Sequence, residues 1–212
     1  MIYEGPDFKR CDDKLIEGYM KTTPATIGHM LFDGFADLGI RPVYKRMKLV
    51  GTAFTVQLAR MDIAAITRSY ELSKPGDILV VNSGTGSVYA CAGEISTIKS
   101  IRLKVKGLIV DGPVTDILEM EAMQFPCFSR GVSALVGRRL GNDGAVRVPV
   151  NIGGVVVNSG DLVVADDNGI VFLNPEKAEE LLPKLLEKEM SEDTLRAEFW
   201  KEMGKDIPVI YP

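Results

Sequence analysis

Residues 78–81 (Ile-Leu-Val-Val) and 107–111 (Gly-Leu-Ile-Val-Asp) are short, apolar and rich in β-branched side chains, and the stretch between them is long enough for a helix. Runs of this kind are strands buried on both faces. A helical crossover between two such strands makes them parallel neighbours in one sheet. This β-loop-α-β unit commits the chain to an α/β sheet covered by helices.

The flanking sequence extends the pattern. Residues 49–58 are β-rich, with Val50, Phe54 and Val56, and Asp62 is placed as the N-cap of a helix running to about Leu72. Pro75-Gly76-Asp77 is a turn, and a helix is expected over residues 90–104. Upstream, apolar residues at helical spacing (Leu15, Ile16, Tyr19, then Ile27, Met30, Leu31, Phe35, Leu38) predict two short helices around Thr23-Pro24, with Gly39 as a C-cap. Residues 146–173 read as short strands separated by Gly153-Gly154, Ser159-Gly160-Asp161 and Asp167-Asn168-Gly169. Asp166 and Asp167 fit a hairpin turn there. Asn174-Pro175 then predicts an N-cap and first helical residue, opening a charged helix to about Met203 that Pro183 should kink or divide.

Composition narrows the function classes. At 212 residues and 46% hydrophobic, the chain is long enough for one sizeable core, so we expect one α/β domain over 1–175 and a C-terminal helical extension over 176–212. Its 25 basic and 29 acidic residues, a net of −4, supply no electrostatic drive toward nucleic acid or an anionic membrane. No apolar stretch approaches the roughly 18 residues of a bilayer span, and the first residues lack a signal-peptide core, so the expected location is cytoplasmic. Three separated cysteines (Cys11, Cys91, Cys127) indicate neither a disulfide framework nor a thiolate zinc site, and the single histidine, His29, leaves little room for a His-based triad.

Two segments could carry chemistry. The loop 82–87 (Asn-Ser-Gly-Thr-Gly-Ser) lies where a dinucleotide fingerprint would sit, but Tyr89 occupies the third glycine position and no Walker lysine follows. A methyltransferase-type nucleotide pocket is therefore disfavoured. Asp116 follows a strand end through Asp111-Gly112-Pro113, at the rim where α/β sheets bind ligands, and is either a helix cap or a ligand residue.

The succession Gly86-x3-Ala90-x2-Gly93-Glu94, Gly107-x3-Asp111-Gly112-x3-Asp116, Phe128-x-Arg130-Gly131 and Gly153-Gly154-x3-Asn158-x-Gly160-Asp161-x4-Asp166-Asp167-x-Gly169 resembles the 4-hydroxy-4-methyl-2-oxoglutarate aldolases. The regulator of ribonuclease activity A belongs to the same family, whose members are often labelled dimethylmenaquinone methyltransferases. The resemblance covers roughly residues 22–192.

The resemblance implies a swivelling β/β/α domain and a divalent-metal-dependent lyase acting on small 2-oxo acids. Aldolase members carry Asp, twenty residues, then Arg-Asp. Here the matching residues are Glu94, then Thr115-Asp116. Asp116 thus matches the metal ligand, for magnesium or manganese, and Glu94 the carboxylate that orients the proton-carrying water. The amides of Gly93, Glu94, Ile95 and Ser96 match the oxo-acid cradle, as a helix N-terminus suits an anion. Thr115 stands where the family has its carboxylate-gripping arginine, and Arg130 is the candidate to replace that grip or to form a structural ion pair. The resemblance also implies a homotrimer or hexamer whose sites take a carboxylate from a neighbouring subunit, here Glu189 or Glu192, which show no apparent partner within one chain. Retro-aldol cleavage of a 4-hydroxy-2-oxo acid and oxaloacetate decarboxylation share a pyruvate enolate, so one site serves both. The alternative is a non-catalytic, protein-binding regulator.

Overall fold

Leu79, Val81, Leu108 and Val110 lie buried in one apolar cluster and their strand neighbours Ile78, Val80 and Ile109 in another, so the central strands are covered on both faces as their sequence demands. The computed structural model describes residues 1–84 and 86–211; Thr85, within the glycine loop, lies outside the described residues.

In chain order the elements are β1 (Tyr3–Glu4), α1 (Asp13–Tyr19), α2 (Pro24–Gly28), β2 (Arg41–Pro42), β3 (Lys48–Gln57), α3 (Ala64–Leu72), β4 (Asp77–Asn82), α4 (Glu94–Arg102) and β5 (Gly107–Val114). There follow α5 (Ile117–Ala122), β6 (Cys127–Val132), β7 (Ala145–Val146), β8 (Val150–Ile152), β9 (Val155–Val157), β10 (Leu162–Asp166), β11 (Gly169–Leu173) and α6 (Pro175–Glu202). The main sheet runs β1-β7-β3-β4-β5-β6-β2, and β10 pairs with both β3 and β11. Strands β3, β4, β5 and β6 are mutually parallel, joined through α3, α4 and α5. This is a mixed α/β domain with a C-terminal helix. Among the described residues no helix is long and apolar enough to cross a membrane.

Several expectations are met closely: β3, β4, β5, the β10–β11 hairpin around Asp167-Asn168-Gly169, and the Asn174 cap, whose side chain accepts the Glu176 N–H at 2.9 Å. Others are corrected. The second N-terminal helix ends at Gly28 with His29 as its cap, because Phe35 bridges to Val171 and the Ala36 N–H donates to Ile170 O at 3.0 Å. Met30, Leu31 and Phe35 pack against the apolar cluster that contains Val171 and Leu173, whereas Leu38 is exposed, and Gly39 is no helix cap. Helix α3 starts at Ala64 with Ile63, not Asp62, at its N-cap position; Asp62 instead accepts N–H bonds from Ala64 (2.9 Å), Leu140 (3.1 Å) and Asn142 (2.8 Å), tying the helix start to the loop at 140–142. Pro183 does not divide α6, which runs unbroken over Pro175–Glu202. Its first half packs on α1 and α2, with Ala178 and Leu185 fully buried.

Candidate active site

Helix α4 begins four residues later than the apolar pattern suggests, at Glu94. Residues 90–92 are instead extended: Cys91 donates its N–H to Pro113 O (3.3 Å) and Ala92 O accepts from Thr115 N (2.9 Å). That lacing carries the start of α4 against the end of β5. Gly93 is required at the junction, because a Cβ there would sit 2.3 Å from Asp116 Oδ2 and 2.7 Å from Thr115 Cγ2.

Asp116 itself takes a left-handed backbone conformation, φ 54° and ψ 45°, which costs an L-residue about 1–2 kcal/mol and is tolerated best by Asn and Asp. The turn aims its carboxylate back at α4. Oδ2 accepts the Glu94 N–H at 2.9 Å and Oδ1 the Thr115 hydroxyl at 3.0 Å. Asp116 therefore caps α4, the helix before its own, and makes no cap bond to α5. The residue is a cap, of the preceding helix, and it stays exposed at the rim.

Gly93, Glu94, Ile95, Ser96, Thr115 and Asp116 are thus brought together. The Ser96 hydroxyl closes the turn by accepting from Gly93 N and donating to Gly93 O, both at 2.7 Å. The first turn of a helix leaves its N–H groups without intrahelical acceptors. Asp116 takes that of Glu94; among the described residues no acceptor meets those of Ile95 or Ser96.

Arg130 does not join this corner. Its NH1 and NH2 donate to the two oxygens of Asp37 (3.0 and 2.5 Å), and its Nε to Asp111. Asp37 is held below the usual carboxylate range chiefly by the Arg130 hydrogen bond. Gly39 makes room for this clamp, since a Cβ there would lie 2.5 Å from the Arg130 NH1. Arg130 and Asp111 line a cavity of about 660 Å³ with Asn82, Ser87, Pro113 and Ser133, at the carboxyl ends of β4 and β5. Of the two readings of Arg130, the structural ion pair is the one observed; helical and strand signals could not name its partners, which are 93 and 19 residues away.

The expectation that Glu189 and Glu192 lack partners in one chain is corrected. Glu189, only 7% exposed, accepts the Thr26 hydroxyl of α2 and lies 3.4 Å from Arg196; Glu192 pairs with Lys188 and, at 2.9 Å, with Arg196. The spacing i, i+4 and i, i+7 along α6 explains these pairs.

The residues fit a hard divalent cation. A carboxylate offers about four lone-pair sites, and Asp116 uses two, leaving oxygen donors at an exposed rim. Among the described residues no group of three or more His, Cys, Asp or Glu forms a cage. Magnesium, which keeps several waters and takes one or two carboxylates, suits so sparse a set.

Comparison with known proteins shows the family. The family model described as "RraA-like: Aldolase/RraA" matches residues 27–172. A protein of Halalkalibacterium halodurans named "Putative 4-hydroxy-4-methyl-2-oxoglutarate aldolase" is 31% identical over 175 residues, covering 82% of this chain and 83% of that one. Among solved structures, Streptomyces coelicolor RraAS2, described as an unusual member of the RNase ES inhibitor RraA protein family, superposes with a TM-score of 0.77 at 26% identity over 89% of this chain and all of its own. An uncharacterized protein from Pseudomonas syringae pv. tomato shares the fold with a TM-score of 0.76 at 23% identity, over 94% and 97% of the two chains. The chain belongs to the RraA-like family of aldolases and RraA proteins.

Proposed function

We propose that this chain is a divalent-metal-dependent lyase of small 2-oxo acids, cleaving a 4-hydroxy-2-oxo acid by retro-aldol chemistry and decarboxylating oxaloacetate through the same pyruvate enolate. The carrying observation is the corner where Glu94 and Asp116, 22 residues apart, meet through one backbone hydrogen bond at a helix N-terminus. The name of the Halalkalibacterium relative supports the same class of reaction.

Asp116 would hold magnesium or manganese, which as a Lewis acid stabilises enolate charge. The N–H groups of Ile95 and Ser96 bind the carboxylate of the oxo acid, favoured by the positive end of α4. Glu94, exposed at the first turn of α4, orients the water that takes the proton from the 4-hydroxyl and returns it to carbon 3. No Schiff-base lysine is needed.

The test is pyruvate release from oxaloacetate and from 4-hydroxy-2-oxo acids, with magnesium or manganese, by wild type and Asp116→Asn in parallel. Metal-dependent turnover in wild type that the variant lacks supports the reading. Equal rates, or no metal-dependent rate on any oxo acid, would sink it.

The likeness to RraAS2 favours a second reading, a protein-binding regulator of a ribonuclease. In that case inhibition of the ribonuclease would survive Asp116→Asn unchanged, since a docking surface has no use for that single charge.

A further inference from the structure

We infer that the substrate is a 4-hydroxy-2-oxo acid with one carboxylate and an uncharged, hydroxylated tail, so that the products are pyruvate and a neutral hydroxyaldehyde. This rests on the lyase reading and narrows it. The first observation is position 115. Thr115 supplies no charge, and its hydroxyl proton is already donated to Asp116 Oδ1 at 3.0 Å. No grip for a second carboxylate exists at that point.

The cavity beside the corner supplies none either. Among the described residues that line it or hydrogen-bond within the corner, Arg130 is the sole cation. Two carboxylates face that one guanidinium, Asp37 with a two-pronged bond and Asp111 on Nε, so the cluster carries a net charge of one minus. A dicarboxylic substrate entering here meets repulsion. The remaining polar lining is neutral: the Ser133 hydroxyl already donates to Val88 O and Asn82 gives one amide proton to Asn151 O, so the Ser87 hydroxyl, the Asn151 amide and the second Asn82 amide proton are the groups a ligand would meet. Amides and hydroxyls of this kind match the hydroxyls of a polyol chain, which donate and accept alike.

The two features are close enough to serve one molecule. Residues 91–92 are laced to 113–115 by the Cys91–Pro113 and Ala92–Thr115 bonds. Pro113 borders the cavity, whose described lining includes none of residues 93–96, 115 and 116, and Asp116 stands three residues further on, at most about 10 Å along the chain because its left-handed backbone shortens the rise. An extended six-carbon acid with a hydrogen bond at each end covers that span.

The reaction balances without any oxidant or reductant. The C3–C4 bond breaks with its electron pair remaining on C3. The 4-hydroxyl gives up its proton and becomes the aldehyde carbonyl, and a proton returned to C3 completes pyruvate.

The experiment compares 4,5,6-trihydroxy-2-oxohexanoate with the dicarboxylate 4-hydroxy-4-methyl-2-oxoglutarate on the full chain with magnesium. We expect kcat/KM at least about tenfold higher for the neutral tail, the scale of one charge-assisted contact. Equal or reversed preference overturns the inference. Calorimetric binding of two analogues that cannot undergo the cleavage, 5,6-dihydroxy-2-oxohexanoate and 2-oxoglutarate, reads the same preference without turnover. Tighter binding of the neutral analogue in a protein that cleaves nothing would refute the lyase reading and leave the tail preference standing; tighter binding of 2-oxoglutarate, or binding of neither, overturns the preference itself. As a further arm, Asp111→Asn leaves Arg130 less compensated and should tighten 2-oxoglutarate binding several-fold, with no such gain for the neutral analogue.

Discussion

Asp116 Oδ2 accepts the backbone N–H of Glu94 at 2.9 Å, joining the end of β5 to the start of α4 across 22 residues of chain. One carboxylate thereby caps a helix and presents charge at the rim of the sheet. These two roles are separable by substitution. Replacing a capping residue by Ala costs about 0.5–2 kcal/mol, whereas Asn keeps an acceptor for the Glu94 N–H. We therefore expect Asp116→Ala to lower the melting temperature by about 2–4 °C per kcal/mol lost and Asp116→Asn to lower it far less. Both should abolish metal-dependent turnover. If Asp116→Asn keeps its activity while Asp116→Ala loses it, the carboxylate acts as a cap alone.

Gly93→Ala tests the close approach from the other side. The added Cβ would fall 2.3 Å from Asp116 Oδ2, nearer than real Cβ contacts come, so the carboxylate must move. Because both carboxyl groups remain in the chain, the expected result is a loss of turnover of about tenfold or more, on the principle that displacements of about 1 Å cost up to 100-fold. Circular dichroism should still report a folded protein. Unchanged kinetics in Gly93→Ala would show that the corner does not position the reacting groups.

Asp37 yields a pH prediction. The Arg130 hydrogen bond holds its carboxyl below the ordinary value, so the clamp contributes stability above the unfolded value near 4 and loses it as pH falls through the lower folded value. Wild type should be more stable than Asp37→Asn at pH 7, and the gap should close below about pH 4. Urea unfolding at pH 7, 5 and 3.5 measures it; a constant gap would contradict an ionic origin.

The parallel unit around β4 and β5 was legible in sequence because its signal is local: apolar runs, a Pro-Gly-Asp turn and a helical interval. The β10–β11 hairpin and the Asn174 cap were legible for the same reason. The helix expected over 90–104 starts late because the extended segment 90–92 is held by backbone groups of Pro113, Thr115 and Leu135, partners that no local pattern names. Likewise Ile27, Phe35 and Leu38 keep helical spacing although the chain leaves the helix at Gly28, since contacts to β11 and to Gly153 outweigh propensity. The meeting of Glu94 and Asp116 was readable from the family resemblance, whereas the partners in the Arg130 clamp and the Glu189–Thr26 bond depend on tertiary placement.

A row of apolar side chains beside the cavity remains exposed: Val88, Val132, Leu135 and Val136 are each more than half exposed, on segments joined by the Ser133–Val88 hydrogen bond and the Ala90–Val136 bridge. Exposed apolar side chains grouped on neighbouring segments are a mark of association. We expect light scattering to give a trimer or hexamer at micromolar concentration, and Val136→Asp to dissociate it. A wild-type monomer would refute this and would leave the site to one chain.

Thr115→Arg addresses specificity directly. The side chain it replaces is uncharged, with its one hydroxyl proton given to Asp116, whereas a guanidinium offers a charged, two-pronged grip. Hydrogen bonds to charged groups contribute about 1.5–3 kcal/mol, so kcat/KM for oxaloacetate or another dicarboxylate should rise by about one to two orders of magnitude. The neutral-tailed substrate should gain nothing and lose rate through crowding at Gly93, where Thr115 Cγ2 already stands 2.7 Å from the position of a Cβ. The readout is the ratio of the two kcat/KM values in wild type and variant. A ratio that does not move toward the dicarboxylate would mean that position 115 does not face the tail, and the specificity argument built on its missing charge would fall.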